Sequence, residues 1–120
     1  MKKKESRADS PESAAKILRI TPIKEAFYFF SDIGQYTGIF ARSLEEFYEK
    51  ISSVPLKSLE FHFARGDFEK WIKEILGDMH LAKTINSMDK SLKAEKLRTM
   101  LKRNIRRRIN HLKKIIEKHS

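Results

Sequence analysis

Residues Ser58 to Asp78 read SLEFHFARGDFEKWIKEILGD, and the reading of this stretch decides the fold. It gathers Leu59, Phe61, Phe63, Phe68, Trp71, Ile72, Ile75 and Leu76 into one short segment, with the only Trp of the chain and two of its four Gly. From Asp67 onward the pattern is helical, because Phe68, Trp71, Ile72, Ile75 and Leu76 fall at i, i+3, i+4, i+7 and i+8 and form one apolar stripe. Asp67 is the natural N-cap of that helix and Gly77 its stop, and Asp78 caps a further short helix carrying Leu81, Ala82 and Ile85. Upstream, Leu59, Phe61 and Phe63 alternate like a strand, while Leu56, Leu59 and Phe63 also fit a helix. Pro55 in a first turn and Gly66 just past a helix end favour the helix. The expected result is a chain folded back twice around Trp71.

Working outward, Ser43-Leu44-Glu45-Glu46 has the form of a capping box, in which the Ser43 hydroxyl takes the Glu46 N–H and the Glu46 carboxylate reaches back to that of Ser43. Leu44, Phe47, Tyr48, Ile51 and Val54 then mark one apolar face of a helix that Pro55 ends. Ala26 to Arg42 is the least helical part of the chain. Its aromatic-rich runs Phe27–Phe30 and Gly38–Ala41 flank SDIGQYT, which predicts a β-hairpin over about 26–42 with a longer connection; a helix over 23–31 is the competing reading. Ser10-Pro11 opens a short helix with Ala14, Ile17 and Leu18 on one face, and residues 1–9 read as a charged, disordered lead-in. Leu97, Leu101, Ile105, Ile109, Leu112 and Ile116 recur every three or four residues and predict a long amphipathic helix over about 93–118. Arg98 and Arg108 fall within its apolar sector, so their stems must snorkel or their heads must find a carboxylate, with Glu45, Glu49, Glu60 and Glu74 as candidates. The expectation is a compact, mainly α, multi-helix domain over 10–120.

Composition agrees. A chain of 120 residues with 40% hydrophobic content suits one core, and four Gly and three Pro favour helices over a turn-rich sandwich. Zero Cys excludes disulfides, thiolate metal sites and Cys nucleophiles, and fits a reducing cytoplasm. The N-terminus is basic with no apolar run behind it, so no signal peptide is expected, and the longest apolar run is too short to span a bilayer. Residues 90–120 hold twelve Lys and Arg against Glu95 and Glu117, so the whole net charge of +10 lies there, on a body that is otherwise neutral.

Chemistry-bearing motifs are sparse. His62, His80, His111 and His119 lack metal-ligand spacing, and no Gly-rich phosphate loop or nucleophile elbow is present, so neither metal nor cofactor is expected. His62, Arg65, Asp67 and Trp71 form the one polar cluster in apolar surroundings: either a small pocket with His62 as acid or base and Arg65 holding an anion, or a helix joint with Asp67 as cap and Trp71 in the core. Lys96, Lys102, Arg103, Arg106, Arg107, Lys113, Lys114 and Lys118 fill the polar face of the long helix. That face suits an anionic partner, with nucleic acid bound without sequence specificity as the leading reading; the plain alternative is a solvated lysine-rich face of thermophile-like composition. A membrane-surface role would need Trp or Phe on the helix, which has neither. A protein partner, or a homodimer through the Leu97–Ile116 stripe, is the other reading.

The strings Phe61-His62, Arg65-Gly66-Asp67-Phe68, Trp71-Ile72 and Leu76-Gly77-Asp78, with Ala41-Arg42-Ser43-Leu44-Glu45-Glu46-Phe47 and Val54-Pro55-Leu56 before them, resemble a small archaeal and bacterial family of unknown function over about residues 26–86. The resemblance implies a compact helical module with no assigned activity and no catalytic residues to carry over. It stops short of the basic helix.

Overall fold

The structure, a computed structural model, describes residues 9–119; the lead-in expected over residues 1–9 lies outside them except for Asp9. Helix α1 (Pro11–Leu18) starts as the Ser10-Pro11 pair predicts, with the Ser10 hydroxyl accepting from Ser13 N. A 3₁₀ turn (Ile23–Glu25) leads into strands β1 (Phe27–Asp32) and β2 (Gln35–Ala41), followed by α2 (Leu44–Ile51), α3 (Leu56–Arg65), α4 (Asp67–Trp71), a π-helical turn (Ile72–Leu76), α5 (Met79–Asn86) and the 25-residue α6 (Ala94–Lys118).

The hairpin forms, but its connection is tighter than the SDIGQYT reading suggests. Asp32 pairs with Gln35, so only Ile33 and Gly34 turn the chain. Thr37 and Gly38 instead form a bulge between the pairs Phe29↔Ile39 and Phe30↔Tyr36, where Gly38 adopts a φ of +86°. The Thr37 hydroxyl bridges the gap by donating to Phe29 O and accepting from Ile39 N.

The capping box over Ser43–Glu46 is half as expected. Ser43 Oγ accepts from Glu46 N at 3.1 Å, but Glu46 Oε1 takes the N–H of Arg42, one residue earlier, at 2.8 Å. The 56–64 stretch is helical, closed by Gly66 at φ +76°. Asp67 is not the cap of the next helix: its carboxylate turns back onto His62 and Arg65, and α4 starts with no side-chain cap. Nor is the 67–77 stripe one regular helix. It widens after Trp71 into the π turn, whose Ile75 carbonyl accepts from the Arg19 guanidinium at 2.8 Å. Gly77 ends it and the Asp78 carboxylate caps α5 at Leu81 N.

One hydrophobic cluster draws on every helix and both strands. Its centre is aromatic: Phe27 lies against Phe29, Phe47 and Trp71 with ring centroids 4.8, 5.3 and 5.7 Å away, and Phe47 against Phe68 at 5.5 Å. The hairpin packs on α2 and α3, which pack in turn on α6, and α6 also meets α1 and α5. Leu97, Leu101, Ile105 and Leu112 of α6 are fully buried, so most of the Leu97–Ile116 stripe is used within the chain.

Candidate functional site

A 25-residue helix is about 37 Å long, and α6 presents that length with one side on the body and the other to solvent. Seven of the eight cations expected on its polar face are exposed, and Lys102 is half-buried. They divide by what they touch. Lys102 and Arg106 lie over the Tyr48 ring, 5.4 and 5.0 Å from its centroid, and Arg106 Nε donates to the Tyr48 hydroxyl. Lys113 pairs with Glu45 at 2.6 Å. These three brace α6 against α2. Lys96, Arg103, Arg107, Lys114 and Lys118 remain, and none of them is paired with a carboxylate among the described residues.

The two arginines of the apolar sector find partners other than those expected. Arg98 donates to the carbonyls of Ile51 and Val54, at 2.8 and 2.9 Å, and pairs with Glu95; it thereby closes the end of α2. Arg108, 5% exposed, donates to both oxygens of Asp78 at 2.8 and 3.0 Å and to Asp9 at 3.0 Å. Burial acts to lower the pKa of Arg108, but Asp78 first and Asp9 second outweigh it, so the guanidinium is held charged more firmly than usual. Asp9 is likewise held below the usual carboxylate range: burial raises its pKa, and Arg108 and then His111 more than reverse that. Of the four expected glutamates, Glu45 meets Lys113 and Glu60 accepts from the Ala94 N–H at the start of α6. The placement of Arg108 in an apolar stripe signalled a buried pair, but a partner 99 residues away carries no sequence signal.

His62, Arg65 and Asp67 converge, and Trp71 does not join them. Trp71 is core, its indole N–H donating to Glu25 O at 2.8 Å. His62, 4% exposed, is engaged at both nitrogens: Phe30 N–H donates to Nε2 at 2.8 Å, and Nδ1 lies 2.7 Å from Asp67 Oδ2. The Phe30 N–H requires a lone pair on Nε2, so the proton sits on Nδ1 and is donated to Asp67. Burial lowers the pKa of His62 below its ordinary value against the opposing pull of Asp67, with Arg65 adding to the lowering. The imidazole is a neutral bridge tying the β1 edge to α3. Both ring nitrogens are engaged within the chain. Beside it lies a shallow cleft of about 360 Å³ that Phe30, Phe61, Ile33 and Arg65 help to line. Arg65, fixed at Nε by Asp67, stacks 4.9 Å over Phe61.

Among the described residues no three His, Asp or Glu side chains are grouped to hold a metal ion, and no helix is long and apolar enough to cross a membrane. No curated protein and no solved structure matches the chain. The model of one family, described as a family of unknown function (DUF5752), matches residues 24–120. The match runs from the turn before β1 through the aromatic core to the end of α6, well past the 26–86 span that the sequence strings suggested, and takes in the whole of α6. The chain therefore belongs to this family of unknown function, DUF5752.

Proposed function

We propose that the chain is a non-enzymatic binding module that engages an anionic partner, nucleic acid without sequence specificity, through the outer face of α6. The observation that carries this reading is the unopposed row of Lys96, Arg103, Arg107, Lys114 and Lys118, exposed and without carboxylate partners among the described residues. At about 1.5 Å per residue the row extends about 33 Å, the length of roughly one turn of duplex DNA. Five like charges on one rigid ridge repel one another, and a polyanion relieves that repulsion while releasing its own condensed counterions. Base readout is not part of the proposal, since the row carries only long cations that suit phosphates.

Fluorescence anisotropy of labelled duplex and single-stranded oligonucleotides, titrated over about 50–200 mM salt, tests it, with an expected log–log slope of about −4 to −5. Replacing all five cations by Gln removes most of the affinity and flattens the slope, while circular dichroism stays unchanged because the five side chains lie outside the core. Equal affinity and slope in that variant would overturn the proposal. Deleting α6 is the wrong experiment, because it also removes Leu97, Leu101, Ile105 and Leu112 from the core.

A further inference from the structure

A groove of about 320 Å³ runs between α5 and α6, away from the hairpin cleft. His80 and Thr84 face it from α5 at i and i+4, and Asn104, Arg107 and His111 from α6 at i, i+3 and i+7, over an apolar floor at Leu81. Among the described residues the lining offers two imidazoles, a carboxamide and two guanidinium groups, and no carboxylate. Its inner wall is Arg108, which Asp78 holds from behind by two hydrogen bonds.

The chain already sets an oxyanion on two of the lining residues, Arg108 and His111. Asp9 accepts from Arg108 Nη2 at 3.0 Å, and its second oxygen lies 3.4 Å from His111 Nε2. With Asp9 and Asp78 both ionised against Arg108, this end of the groove carries one net negative charge. When Asp9 moves away, Arg108 and Asp78 balance each other and Arg107 is left as an uncompensated cation at the mouth.

We propose that this groove is a phosphoryl-binding site, two of whose lining residues, Arg108 and His111, are held by Asp9 until a ligand displaces it. The chemistry, a tetrahedral oxyanion among His80, Asn104, Arg107 and His111, fits either a phosphate of a nucleic-acid chain or a free phosphate or small phosphate ester. The inference goes beyond the polyanion ridge, with which it shares Arg107, and it stands whether or not the ridge binds nucleic acid.

Inorganic phosphate is titrated into the full chain at constant pH and ionic strength, with the imidazole resonances of all four histidines as the readout. Saturable shifts are expected at His80 and His111, with His62 and His119 unmoved. Asp9→Asn tightens phosphate about three- to tenfold by removing a nearby like charge. Asn104→Leu, a neutral change off the ridge, abolishes the shifts while circular dichroism stays unchanged. Shifts of equal size at exposed His119, an absence of saturation, or unchanged affinity in Asp9→Asn would overturn the proposal. Oligonucleotides with and without a 5′-phosphate separate the sources: the same shifts from both identify backbone phosphate, and shifts from the phosphorylated form or inorganic phosphate alone identify a terminal or small phosphoryl group. Saturation by phosphate with no salt-dependent oligonucleotide binding leaves the groove standing and removes the ridge.

Discussion

His62 has the surroundings of a catalytic residue and the hydrogen bonds of a structural one. Its neutral form accepts from Phe30 N and donates to Asp67, and protonation would cost the Phe30 bond at a side chain that is only 4% exposed. A histidine with a depressed folded pKa leaves the unfolded chain as the better proton acceptor. Stability is therefore full above the ordinary histidine value of about 6.5 and falls as pH drops through it. Urea midpoints measured from pH 8 to pH 5 should decline, and His62→Gln, less stable at pH 8, should decline less; parallel curves for the two proteins would refute the assignment. Arg108 presents the opposite case, a buried charge fully matched. Arg108→Met leaves Asp78, 1% exposed, without its counter-charge and should cost about 3–5 kcal/mol. Adding Asp78→Asn, which keeps an N-cap oxygen for α5, should recover much of that loss in denaturation experiments.

Among the elements, those written in local chemistry were legible and those set by distant partners were not. Ser10-Pro11, Ser43, Pro55, Gly66 and Gly77 mark boundaries because each acts within a few residues of itself, through a cap, a fixed φ or a left-handed turn. Asp67 looked like one more such signal. Its carboxylate goes instead to His62, whose ring is brought within reach by the turn at Gly66 and is held there by a strand 32 residues away. The same cause hid the bulge at Thr37 and Gly38, since an alternating aromatic pattern does not show two residues looped out of register. For the candidate site, spacing alone placed the cations of α6 on its polar face. It could not separate Lys102, Arg106 and Lys113, which lean on Tyr48 and Glu45, from the unopposed five, because those contacts belong to another helix. Gly66 gives the sharpest test of the local reading. A Cβ there meets nothing closer than Glu69 Oε2 at 3.6 Å, so Gly66→Ala should cost only the left-handed backbone penalty of about 1–2 kcal/mol in thermal or urea unfolding. A loss well above that would mean that the α3–α4 joint is strained in some further way.

For the whole molecule, the layering separates the aromatic hairpin from the cationic helix. Helices α2 and α3 lie between them, with Ile33 and Tyr36 exposed at the hairpin and the lysines and arginines exposed on α6. The two surfaces nonetheless depend on one core. Trp71 packs on Phe27 of the hairpin and Phe47 of α2 and is tied by its indole N–H to Glu25, while α2 is fastened to α6 through Arg98. A core shared in this way should melt as a unit. The single Trp makes the prediction easy to read: its fluorescence reports the hairpin side, whereas far-ultraviolet circular dichroism is dominated by the helices, above all the 25 residues of α6. The two signals should give the same urea midpoint and the same slope, as two-state unfolding of one domain requires. Ile105→Ala, a cavity at a fully buried position on α6, should lower both midpoints together by about 2–5 kcal/mol of stability, although Ile105 is remote from Trp71 in sequence. If the circular dichroism midpoint fell while the Trp signal held, α6 would be a separable arm rather than part of the domain. The charged row would then sit on an element able to detach from the body, and the rigid ridge on which the polyanion proposal depends would be lost.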